Sequence, residues 1–150
     1  MTTVRDKRQR SYGVYKKALI LAIAGGLAFW AATIAISLLP IAAEYRAAES
    51  GGTRNIQTVW VGSLPAGMII GCLVSFSLLR FFDKIPTKNP ILKSVILSFI
   101  ALVIATILLE APASFRTSDA LYYFLIGTML NVPRFLFLGI VIGYLRARAK

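Results

Sequence analysis

Four long apolar runs, at about residues 18–39, 59–79, 91–109 and 121–145, occupy most of this chain and confine its charges to short tracts between them. Each run has the roughly 20 residues that a helix, rising about 1.5 Å per residue, needs to cross a hydrocarbon core of about 30 Å. None alternates with a period of two, and each is too long for a barrel strand of about 10 residues. The expected fold is therefore an all-α integral membrane protein. It is read as a single domain over residues 1–150, a bundle of four transmembrane helices in the lipid bilayer, with no room for a further globular domain.

Composition agrees with this reading. The 150 residues are 57% hydrophobic and 15% charged, against about 45–50% and about 25% for a soluble domain. The first run follows a basic leader, as a signal peptide does. Its roughly 22 apolar residues exceed the usual length of about 7–15, and no small-x-small site closes it before Pro40, so it is read as a retained span.

The placement of Lys and Arg predicts orientation. Thirteen lie on one side: Arg5, Lys7, Arg8, Arg10, Lys16, Lys17, Arg80, Lys84, Lys88, Lys93, Arg146, Arg148 and Lys150. Three lie on the other, Arg46, Arg54 and Arg116, leaving Arg134 inside the fourth run. This asymmetry places both termini and the second loop in the cytoplasm. It also marks a basic cytoplasmic face able to hold anionic lipid, at about 1 kcal/mol per residue. Nucleic acid is a poor partner for the net charge of +11, because the aromatic residues sit in the spans and at their ends.

Chain punctuation fits four helices. Pro40 marks the exit of the first, Asn89-Pro90 caps and opens the third, and Ser118 or Asp119 can cap the fourth. Lys93, near the start of the third run, is expected to snorkel to the interface. Residues 41–57 read mainly as a mobile linker, with an outer contact as the alternative. Small residues recur every four positions at Ala24, Ala28 and Ala32, at Gly67 and Gly71, and at Gly139 and Gly143. That spacing lets membrane helices approach closely, and it points to tight packing with faces left for a partner.

Missing residues exclude much chemistry. The chain has no histidine, and its single cysteine, Cys72, is expected as a small buried apolar residue. No acidic residue falls near the middle of a run, and no phosphate-binding loop or carboxylate cluster is present. The expectation is a protein with no catalytic activity, no metal and no cofactor.

The fourth run supplies the candidate site. Tyr123, Gly127, Asn131 and Arg134 fall at spacings of four, four and three and so share one helix face, with Thr128 at its edge. Pro133 cannot donate to the carbonyl of Met129. A guanidinium this deep is costly and points to function or to a partner. Tilt of a run of about 25 residues would bring Arg134 nearer water. Glu110 is the nearest acid on the adjoining helix, yet its place at the outer end puts it out of direct reach. A structural or subunit-contact role for Arg134 ranks ahead of gripping an anion.

Together these features predict a non-catalytic multi-pass protein, foremost a small subunit or assembly component of a larger membrane complex, packed against other subunits or against copies of itself. The alternative is a small oligomeric transporter, channel or lipid-handling protein that uses Arg134 and Asn131 for an anionic ligand.

Overall fold

The computed structural model describes residues 4–52, 55–115 and 118–148. The side chains of residues 4–12, together with Arg54, Arg116 and Lys150, lie outside the described residues, and so do the expectations that rest on them. The described residues form helices and turns without a strand: α1 (Val4–Ser37), α2 (Pro40–Ser50), α3 (Ile56–Phe81), α4 (Pro90–Ala105), a short α5 (Ala111–Ser114) and α6 (Ala120–Arg148). A π turn, Thr106–Glu110, joins α4 to α5. Four stretches are long and apolar enough to span a membrane: Gly13–Ser37, Ile56–Phe81, Pro90–Glu110 and Ala120–Arg148. They match the four expected runs to within a few residues, except at the N-terminal start of the first.

The helix ends follow from local chemistry. Asn89 accepts a hydrogen bond from the Ile91 amide at 2.9 Å, and Pro90, which has no amide hydrogen to lose, opens α4. The same logic applies at Pro40, but there it begins a new helix rather than an open loop. Residues 40–50, expected as mobile linker, form α2 instead. It closes on Gly51 in the left-handed conformation (φ 59°), which glycine adopts without a Cβ penalty.

The bundle has two ends. The terminal end carries the start of α1, the end of α6 and the turn between α3 and α4, while the distal end carries α2 and the α5–α6 link. Contacts run in the order α3–α1–α6–α4, with the α3–α4 contact much the thinnest. In the terminal half, small residues bring backbones together. A Cβ on Gly71 would lie 2.6 Å from the Ala22 carbonyl oxygen, and one on Gly67 would lie 2.9 Å from that of Gly26. Gly139 sits against Ser98 and Val95, and Gly143 against Ile91 and Ser94. On α1 the close approach therefore runs through Ala22 and Gly26. Ala24, Ala28 and Ala32 lie on the flank of this face and are half-buried.

Leu21, Val74, Leu78, Leu138 and Ile142 fill the space between these seams. Phe29 of α1 and Phe135 of α6 close this core on its distal side, edge to face with ring centroids 5.4 Å apart. Outside the bundle the surface is apolar, with Val61, Ile69, Leu73, Leu108 and Met129 all strongly exposed. Two expectations are corrected. Cys72 is exposed on α3 rather than buried. Lys93 is buried at 6% exposure, because its position on α4 turns it into the bundle.

Candidate functional site

Beyond the Phe29–Phe135 pair the helices part around a cavity of about 470 Å³. Its walls come from α1, α3, the π turn and α6, and α2 lies across its distal end. Three of the four long helices lose regular α hydrogen bonding at this level. Pro65 in α3 and Pro133 in α6 have no amide hydrogen, so the carbonyls of Val61 and Met129 have no helical donor. Between α4 and α5 the Ala111 amide bonds to Thr106, one residue further back than in an α-helix. Pro112 accounts for this turn, since it removes the donor for Leu108 and its ring crowds that carbonyl.

One chain of hydrogen bonds crosses the cavity wall. Tyr45 of α2 donates its hydroxyl to Glu110 Oε2 at 2.5 Å. Asn131 Nδ2 donates to Glu110 Oε1 at 2.6 Å, and Arg134 Nη1 donates to Asn131 Oδ1 at 2.8 Å. The amide of Asn131 has one workable orientation here. It faces an acceptor-only carboxylate on one side and a donor-only guanidinium on the other. Glu110 and Arg134 are thus joined through an amide rather than by direct contact.

Gly127 makes room for this junction. A Cβ there would strike the Glu110 carboxylate and lie 2.8 Å from the Tyr45 hydroxyl. Burial first, and then the hydrogen bond to Glu110, push the Tyr45 hydroxyl pKa well above its ordinary value, so it remains a donor. Arg46, on the next position of α2, donates Nη1 to the Ser37 carbonyl at 2.9 Å and also lines the cavity. Arg134 Nε is buried with no hydrogen-bond partner. An orphaned donor of this kind calls for an acceptor.

The four candidate residues of the fourth run separate accordingly. Asn131 and Arg134 line the cavity. Tyr123 stands behind it, its ring 6.4 Å from that of Tyr45. Thr128 turns away and bonds to the Phe124 carbonyl of its own helix at 2.8 Å. Tyr45, Arg46 and Glu110 were not singled out for this site from sequence. Glu110 was named as the nearest acid but set out of direct reach; its spacing of four from the buried Ser94, Ser98, Leu102 and Thr106 was the signal that puts it on the inward face. Tyr45 and Arg46 would have followed from reading Pro40 as the first residue of a helix.

Among the described residues no three His, Cys, Asp or Glu side chains group as a metal site. At the terminal end Lys17, Arg146 and Arg148 surround a shallow groove over Ile20, Leu21 and Leu145. Comparison with known protein families, with characterised proteins and with solved structures returns no match for this chain.

Proposed function

We propose that this protein is a membrane-embedded binding protein for an anionic ligand, of the transporter or lipid-handling kind, with the distal cavity as its site. The observation that carries the reading is Arg134. It lines a half-open cavity, spends one nitrogen on Asn131, and keeps its Nε buried without an acceptor. Arg46 adds a second guanidinium to the same space. Two carboxylates, Glu49 and Glu110, also line the cavity; Glu110 accepts from Tyr45 and Asn131 and is linked to Arg134 through the Asn131 amide. A carboxylate or phosphate would meet the fork geometry that guanidinium groups hold best.

Seam use also supports this reading over that of a complex subunit. The glycines among the small residues that suggested partner faces are used inside the bundle: Gly67 and Gly71 against α1, Gly139 and Gly143 against α4. On the count of basic residues we take the terminal end as cytoplasmic and the distal cavity as opening on the opposite half of the bilayer.

The test is equilibrium binding of inorganic phosphate and of dioleoyl phosphatidylglycerol to the detergent-purified chain, read by the fluorescence of Trp30 and Trp60. Trp60 bonds to Ser37 of the cavity wall at 2.7 Å. Arg134→Gln should weaken binding at least about tenfold, as expected for loss of charged hydrogen bonds, with an unchanged elution volume. Binding that ignores Arg134→Gln, or a substitution that breaks up a larger assembly instead, would overturn the proposal.

A further inference from the structure

We infer that the ligand is an amphiphile that enters sideways from the bilayer, its anionic headgroup passing between α3 and α4 to Arg134 while its apolar tail stays outside. This rests on the anion-binding reading above and adds the route and the class of ligand.

The first observation is a closed roof. α2 is pinned across the distal end of the cavity at three points. Ala42 is 3% exposed in a cluster with Ile36, Ile126 and Leu130. Tyr45 bonds to Glu110, and Arg46 bonds to Ser37. The floor is equally closed by Phe29 and Phe135.

The second observation is an open side. α3 and α4 share the thinnest contact in the ring of helices. Every buried residue of α3 lies from Gly67 onward, so none of the stretch 56–66 is buried. Gly62 and Ala66 form one rim of the opening, and Gly62 has nothing within 4 Å of where a Cβ would stand. Leu109, 66% exposed, forms the other rim.

The third observation concerns what the opening faces. Val61 beside the first rim and Leu108 beside the second point outward at 75% and 64% exposure, so the gap lies within the apolar exterior. Both rims lie toward the distal ends of their spans, Ile56–Phe81 and Pro90–Glu110, the level at which lipid headgroups would stand. A headgroup carried on an acyl chain is already at that depth. The volume of about 470 Å³ is at the small end of ligand pockets, roughly 300–1,000 Å³, and suits a headgroup with its tail left in the bilayer.

Shared chemistry makes inorganic phosphate and phosphatidylglycerol the two informative probes. Ala66→Trp narrows the side opening while leaving Arg134 and its partners Asn131 and Glu110 in place, and Met129→Trp adds the same bulk on an outward face as a control. On the inference, Ala66→Trp lowers phosphatidylglycerol affinity at least tenfold, leaves inorganic phosphate affinity within twofold, and Met129→Trp changes neither. Circular dichroism confirms that both variants are folded. If Ala66→Trp and Met129→Trp affect phosphatidylglycerol equally, sideways entry is wrong, while Arg134-dependent phosphate binding keeps the anion site. If neither probe responds to Arg134→Gln, the anion site itself fails and the inference falls with it.

Discussion

On the terminal side of the Phe29–Phe135 pair, glycine and serine bring helix backbones into contact; on the distal side, two prolines and a π turn accompany their separation. The terminal half gains dispersion contacts from the close approach of its backbones. The distal half gives up some of those contacts and gathers instead two carboxylates, two guanidinium groups, an amide and a phenol. A bundle built only to pack would be tight at both ends. The proposed binding role of the distal half rests on this contrast, and single substitutions on either side should behave differently.

The largest effect should come from Gly71→Leu. Its Cβ would meet the Ala22 carbonyl at 2.6 Å and the Gly26 nitrogen at 3.0 Å, both backbone atoms that cannot rotate away. α1 and α3 must then separate, at a cost on the order of 3 kcal/mol. Thermal unfolding in detergent should show a clearly lowered midpoint. A midpoint equal to that of the parent protein would mean that the terminal half is not a tight seam.

Gly127→Ala should come next. Here the added methyl meets the ends of side chains, Glu110 and Tyr45, rather than backbone. Those groups can swing, so the helices stay together while the hydrogen bonds at Glu110 are disturbed, at about 1–3 kcal/mol. Anion binding at Arg134 should weaken along with stability. Loss of stability with binding intact would separate the network from the site.

The difference between halves also governs how much was legible from sequence. Apolar runs and cap residues such as Asn89 report local requirements, and the four helices stand where the runs placed them. The polar face of Tyr123, Gly127, Asn131 and Arg134 was legible because helical spacing alone defines it. Its connection to Glu110 was not, since Glu110 reaches Arg134 through the Asn131 amide rather than by the direct contact that depth along the helix argued against. Tyr45 stayed hidden because Pro40 was read as the exit of the first helix, although a proline followed by an alanine-rich stretch also suits the first turn of a new one. The Ala24, Ala28 and Ala32 spacing was legible but sits beside the seam, because Gly26 allows a closer approach than alanine does.

Tyr45→Phe should cost about 1 kcal/mol, the ordinary worth of one hydrogen bond. Its pH dependence is the sharper readout. Burial and the Glu110 carboxylate hold the hydroxyl proton on in the folded chain where the unfolded chain, with a phenol pKa of about 10, releases it. Stability must therefore fall as pH rises above about 10, because the unfolded state binds fewer protons there. Replacing Tyr45 by Phe should remove its share of that decline. An identical alkaline slope in both proteins would mean that Tyr45 does not bond to Glu110.

The smallest effect on folding should come from the substitution used at Gly71, moved along the same helix to Gly62. Nothing stands within 4 Å of a Cβ at Gly62, and the position is exposed. Leucine removes the helix-weakening freedom of glycine, worth up to about 1 kcal/mol in a helix interior. Gly62→Leu should thus leave the unfolding midpoint unchanged or slightly raised, while the same change at Gly71 lowers it. Its consequence should appear in binding instead, because Gly62 forms the rim of the distal opening. Destabilisation at Gly62 as large as at Gly71 would mean that α3 is packed along its whole length, and the contrast between the two halves would be lost.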